Sequence, residues 1–213
     1  MRAYPRLEEM SSSRLEAFSD GVIAILITIM VLELSRPAGT SWHDLRDVLP
    51  RLLIYLLSFV FLGIYWNNHH HMLALTDRIN GKVLWANLHL LFWLSLVPFM
   101  TQWVGEGGTQ EKHVRHFAKV PTAAYGIVLL AAAIAYFILK TAIVNEQGPD
   151  SVIAKALGDD FKGRISPILY AVAIPLAFVN RWVSLAIYVS VAAIWLVPDP
   201  RLESQIASRA EKS

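Results

Sequence analysis

The chain has 213 residues, of which 55% are hydrophobic and 17% charged, against roughly 25% charged in an average soluble domain. So few charges do not cover a soluble surface of this size, and a net charge of +2 with scattered basic residues leaves no footprint for nucleic acid. There is no cysteine, which excludes disulfides, thiol chemistry and thiolate metal sites.

Apolar stretches near the ~20 residues needed to cross the hydrocarbon predict six transmembrane helices, at about 16–34, 49–73, 83–104, 118–143, 165–180 and 182–198. The expectation is an all-α integral membrane protein with one six-helix domain over residues 1–213 and no room for a soluble domain. The first span is expected to persist in the mature protein, because Glu8, Glu9 and Glu16 precede it and no small-residue cleavage site follows Leu34. Ser11 to Ser13 offer N-caps for that helix, and Pro37 and Gly39 close it. Trp42 and the charges after it are read as an interfacial segment, with Pro50 opening the second helix. A tight return runs from Thr76 to Lys82, and Gly105, Gly107 and Gly108 mark a flexible loop between the third and fourth helices. The fourth helix carries small residues at Ala131 to Ala133 and Ala135, which allow close approach of a neighbour. Asn145 to Gly163 reads as the longest polar loop, and the last two helices are separated only by Asn180 and Arg181, with Pro175 placed to kink the fifth.

Positive charge is retained on the cytoplasmic side of a membrane. Twelve of the 19 Lys and Arg residues fall on the side of the termini, which predicts a multi-pass protein with both termini cytoplasmic.

The first helix holds most of the functional information. From Arg14 to Leu34 it is ~31 Å long, just enough to span. Asp20 then lies about six residues, or ~9 Å, from the cytoplasmic end. An ionisable group at that depth costs about 2.5–3.5 kcal/mol or more if it faces lipid, so it must face protein or water. Two readings stand open for it, a paired structural carboxylate and a group that meets a permeating ion. Arg14, Phe18, Gly21, Ile25, Thr28 and Leu32 form a seam along one face of this helix. In so apolar a helix such a seam is also what ordinary packing produces, but Gly21 and Thr28 place a small residue and a hydroxyl on it. If several copies surrounded an axis, Ile25, Ile29 and Leu32 would form rings of branched apolar side chains with Thr28 hydroxyls between them. Such rings form a hydrophobic constriction that can gate by dewetting. A narrow apolar neck favours K⁺ because K⁺ holds its hydration less tightly than Na⁺. No TVGYG-like filter loop is present in the sequence.

Two other helices bring polar residues to the depth of Ser19 and Asp20. The second carries Trp66, Asn67, Asn68, His69, His70 and His71, and the third carries Asn87 and His89. Polar side chains in hydrocarbon are best satisfied by one another, so a network joining Ser19 or Asp20 to His70 or a neighbour, and to Asn87, is expected. Three successive histidines point about 100° apart on a helix and cannot converge on one metal; of this stretch a pair such as Asn67 and His71 shares a face. No metal site and no cofactor are expected, while a histidine near an acid leaves proton sensing open.

The run Arg14-Leu15-Glu16-Ala17-Phe18-Ser19-Asp20 opening an apolar helix resembles the signature of the transmembrane protein 175 family, the lysosomal potassium channels and their prokaryotic homologues. Tyr65-Trp66-Asn67-Asn68-His69-His70 resembles the second-helix motif of the same family. The resemblance implies a homotetramer of six-helix subunits whose first helices line a K⁺-permeable pore. It matches the constricting position to Ile25, further pore-facing positions to Thr28, Ile29 and Leu32, and the residues that support the pore helix to Arg14, Phe18, Ser19 and Asp20. Animal members have two such repeats per chain and this sequence has one, so lysosomal placement is not carried over and the resemblance implies a prokaryotic plasma membrane. The expected function is a K⁺-selective or K⁺-preferring channel and not an enzyme. The competing readings are a proton-coupled transporter using Asp20 and the histidine cluster, and a membrane enzyme with a histidine metal site.

Overall fold

The computed structural model describes residues 12–106, 118–157 and 160–196, and among these all regular structure is helical. The helices are α1 (Ser12–Leu32), α2 (Trp42–Ala74), α3 (Gly81–Ser95), α4 (Val97–Glu106), α5 (Lys119–Gln147), α6 (Val152–Leu157), α7 (Phe161–Val179) and α8 (Arg181–Leu196). Among the described residues five segments are long and apolar enough to cross a membrane: α1, α2, the α3 and α4 pair taken together, α5 and α7. The helix α8 is apolar but shorter, with 16 residues.

Several element boundaries depart from the sequence expectation. The second helix begins at Trp42, eight residues before Pro50, which sits inside it. A capping box explains the early start: Asp44 N–H donates to Ser41 Oγ (3.2 Å) and Ser41 N–H donates to Asp44 Oδ2 (2.9 Å). With 33 residues, α2 is ~50 Å long and projects beyond the ~30 Å of hydrocarbon. The third predicted span is two helices, because Pro98 has no N–H to give the carbonyl of Leu94. There the chain turns with Leu96 N–H donating to Trp93 O (3.3 Å), and it resumes with Met100 N–H donating to Leu96 O (3.0 Å). Residues 145–163 are not wholly a loop: α5 runs on to Gln147, Gly148 stops it at φ 91°, and α6 follows. The first helix stops at Leu32, two residues short of the predicted end, in a turn where Leu34 N–H donates to Val31 O (3.2 Å). Of the sequence expectations, the cap at Ser11, the glycines at 107 and 108 and residues 197–198 of the last helix lie outside the described residues.

The helix α5 is the internal post of the bundle. It packs against α3, α4, α7 and α8, and its buried side includes Ala123, Gly126, Ala132 and Ala135. These small residues let neighbours approach closely. At Gly126 the approach is absolute, since a Cβ there would lie 2.0 Å from Tyr188 Oη and 3.0 Å from Ile174 Cγ1. Tyr188 is fully buried and its hydroxyl donates to Thr122 O (3.2 Å), so it has nowhere to retreat. Gly126→Ala is therefore expected to destabilise the fold by about 1–3 kcal/mol. Thermal unfolding of the purified protein in detergent checks this, and Tyr188→Phe in the same chain should return part of the loss. A mostly buried ion pair, Lys140 Nζ to Asp160 Oδ2 (2.6 Å), fastens α5 to the start of α7, where Asp160 also caps the helix by accepting from Gly163 N–H (2.8 Å).

Candidate functional site

The helix α1 packs against α2, α3 and α4 through Leu15, Ser19, Ile23, Leu26 and Met30. Those residues recur every three or four positions and form one stripe. The seam at Arg14, Phe18, Gly21, Ile25, Thr28 and Leu32 lies on the uncovered side. Ile25 is 57% exposed, Ile29 42% and Leu32 81%, so the chain leaves a continuous apolar line bare. Thr28 is exposed on the same line, and its hydroxyl donates back to Ala24 O and Ile25 O (both 3.0 Å). With its proton held by its own helix, Thr28 presents oxygen lone pairs outward.

On the covered side a buried hydrogen-bond chain joins three helices. Asn87 Nδ2 donates to Ser19 Oγ (2.9 Å), Ser19 Oγ donates to Leu15 O (2.8 Å), and His69 Nε2 is paired with Asn87 Oδ1 (2.7 Å). Ser19, His69 and Asn87 are all fully buried. Because the Asn87 amide nitrogen is committed to Ser19, its oxygen must accept, which places a proton on His69 Nε2.

The remaining polar residues divide between the bundle interior and its surface. Of the histidines that the sequence left open, His69 joins Ser19 and Asn87, because position 69 is the one of the three turned into the bundle. His70 instead faces Glu16, with Nδ1 2.6 Å from Oε1. Trp66 Nε1 donates to Asp20 Oδ1 (3.0 Å), so Asp20 is tied to α2 through an indole, and the Trp66 ring stacks on His70 with centroids 6.0 Å apart. His71 lies with its ring 5.7 Å from that of His70, and Asn67 is exposed. Asn68 donates to Ile64 O of its own helix (2.8 Å), and exposed His89 accepts from Trp93 Nε1 on α3 (2.9 Å). Arg14 is exposed at the start of the seam.

A second polar node was not anticipated from sequence. Thr101 Oγ1 of α4 donates to Ser58 Oγ of α2 (2.6 Å), which is paired in turn with Tyr125 Oη of α5 (2.9 Å). Thr101 also meets Met30 Sδ of α1 at 3.9 Å. Lone hydroxyls within apolar runs give no signal of where they will meet. Thr101→Val is expected to cost about 1 kcal/mol, read as a lowered unfolding midpoint in detergent.

The family model described as endosomal/lysosomal potassium channel TMEM175 matches residues 14–98. A potassium channel from Chryseobacterium sp. (strain P1-3) is 49% identical over 197 residues, covering 92% of this chain and 98% of that one. The chain belongs to the TMEM175 family. A potassium channel from Streptomyces collinus is 31% identical over 209 residues, with 92% of this chain and 98% of that one covered. The crystal structure of a lysosomal potassium-selective channel TMEM175 homolog from Chamaesiphon minutus superposes with a TM-score of 0.70 at 31% identity, over 87% of this chain and 96% of that chain. Together with its apolar helices, TMEM175 membership makes the protein an integral, multi-pass membrane protein. The stretch matched by the TMEM175 model contains the whole bare line of α1 and the whole Ser19, Asn87 and His69 chain.

Proposed function

We propose that this protein is a K⁺-selective or K⁺-preferring channel of six membrane-spanning segments per subunit, assembled as a homotetramer around the α1 helices. The single observation that carries the reading is the bare line of Ile25, Thr28, Ile29 and Leu32, opposite a face of α1 that is fully engaged with its own subunit. An apolar line of this length left facing lipid would need no explanation. Its interruption by an outward-facing Thr28 oxygen favours an aqueous axis, and the names of the bacterial relatives supply the ion.

In this reading α8 supplies the sixth segment and both termini are cytoplasmic, as the basic residues favour. The membrane is the plasma membrane of a prokaryote, in keeping with the bacterial relatives. Ile25 and Leu32 bound a dewetting constriction with Ile29 between them, and selectivity arises there without a P-loop filter. The chain from Ser19 through Asn87 to His69 and the bond from Trp66 to Asp20 hold the cytoplasmic third of α1, leaving its remainder to define the neck. Conduction requires no cofactor and no catalytic group. Reconstitution in liposomes tests the proposal: an outward K⁺ gradient should drive flux that an equal Na⁺ gradient does not match, and absence of any cation flux would remove the pore assignment. Flux that saturates and depends on a proton gradient would favour the transporter reading.

A further inference from the structure

We propose that the groove between α3 and α5, at the end of the bundle where α2 returns into α3, binds one phospholipid with an acidic headgroup. The site lies away from the bare line of α1 and does not depend on the pore reading.

The groove has a volume of about 980 Å³, far beyond the ~30 Å³ share of a single water, so it takes a sizeable molecule rather than a few bridging waters. Lys82, Trp85 and His89 lie along its α3 wall at spacings of three and four, which puts them on one face of that helix. Ile138, Thr141 and Asn145 run along its α5 wall in the same way. Both helices belong to membrane-crossing segments. Because α3 starts at Gly81 and α5 ends at Gln147, Lys82 and Asn145 stand at one membrane surface. At 1.5 Å per residue, His89 and Ile138 lie about 10 Å deeper.

The chemistry of the walls changes over this depth as it does along a phospholipid. At the surface end, neither the Lys82 ammonium nor the Asn145 amide has a hydrogen bond or ion pair among the described residues. Deeper in, the polar groups are already engaged: Thr141 Oγ1 donates to Phe137 O (2.8 Å), and His89 Nε2 accepts from Trp93 Nε1 (2.9 Å). The small side chains of Ala86 and Ala142 leave there the space that an acyl chain takes. Between the two zones stands Trp85, 75% exposed, at the level where tryptophan meets lipid headgroups.

Charge decides the headgroup. Lys82 is the one Lys, Arg, Asp or Glu among the described residues that line the groove, and Glu146 at the end of α5 is engaged by the Asn80 amide. An acidic headgroup leaves one negative charge for Lys82, whereas a zwitterionic one brings an ammonium that no carboxylate of the groove receives. Basic pockets between membrane helices select acidic lipids on the same ground. Asn87 follows Ala86 on α3, so a lipid seated between α3 and α5 braces the helix that holds Ser19 of α1.

The test is thermal unfolding of the purified full-length protein in detergent with added phosphatidylglycerol or phosphatidylcholine, together with native mass spectrometry. Phosphatidylglycerol is expected to raise the midpoint by about 2–4 °C, phosphatidylcholine by less than half as much, and one phosphatidylglycerol per chain should be retained. Lys82→Gln should abolish the difference between the two lipids. Ala142→Trp, which fills the groove, should abolish retention, and Lys119→Gln at the opposite end of α5 should change neither readout. Equal stabilisation by both lipids, undiminished discrimination in Lys82→Gln, or the same rise from water-soluble glycerol phosphate would overturn the proposal. So would the absence of retained lipid, the result expected if a second copy of the chain occupied the groove.

Discussion

Ile25→Asn is expected to raise cation flux through the reconstituted protein about tenfold, equivalent to about 1.4 kcal/mol off the barrier, and to level the rates for K⁺ and Na⁺. Ile25 is the first large branched side chain after Gly21 on the bare line of α1, and it is more than half exposed in the subunit. In an assembly around these helices, a ring of Ile25 side chains holds no water and offers an ion no oxygen. Asn replaces that ring with amides that hydrogen-bond water, so the neck stays wet and the cost of shedding hydration, which separates K⁺ from Na⁺, largely disappears. Flux from K⁺-loaded and Na⁺-loaded liposomes reads both effects. Because Ile25 packs against little of its own subunit, the substitution should leave the unfolding midpoint nearly unchanged, and this separates a pore effect from a folding effect.

Asn87→Leu should do the reverse, damaging the fold first. Asn87 uses its amide nitrogen on Ser19 and its oxygen on His69, at 2.9 and 2.7 Å, in a layer closed to solvent. Leucine fits the volume but strands the His69 N–H and removes the donor that Ser19 accepts. Stranding buried polar groups costs about 1–3 kcal/mol each, so a loss of about 3 kcal/mol is expected in thermal unfolding. Flux should fall with it, since α1 loses the anchor that sets its rotation. Ser19 still donates to Leu15 O within its own helix (2.8 Å), so Asn87→Ser should recover part of the stability.

What the sequence could and could not say follows from the range of each interaction. The seam of α1 is a local property of one helix and can be named from its spacing, but which face is packed cannot, because Ile25, Ile29 and Leu32 are as apolar as the buried Ile23, Leu26 and Met30. The meeting of α1, α2 and α3 in one polar layer was also legible, because each helix carries its polar residues near the same end. Which histidine enters the layer was not. Successive ring positions on α2 differ by about 100°, and the rotation that buries His69 is set by the packing of Phe61, Leu62, Met72 and Leu73 along the whole helix. Pairings between distant turns, such as Glu16 with His70 or Thr101 with Ser58, leave no pattern in the sequence. Proline misled in one direction at Pro50, where a strong capping box upstream overrides it, and acted as a breaker near Pro98, where the chain turns before resuming.

The central claim is that the bare line of α1 faces the path of the ion. The absence of native cysteine permits a direct measurement: K⁺ flux before and after a positively charged, water-soluble thiol reagent, in proteins carrying Thr28→Cys or Leu26→Cys. Thr28 is on the exposed line and Leu26 on the stripe packed against the rest of the chain. The account predicts that the reagent blocks flux through Thr28→Cys and leaves Leu26→Cys unaffected. Flux through Thr28→Cys that persists after complete modification of the cysteine would contradict it.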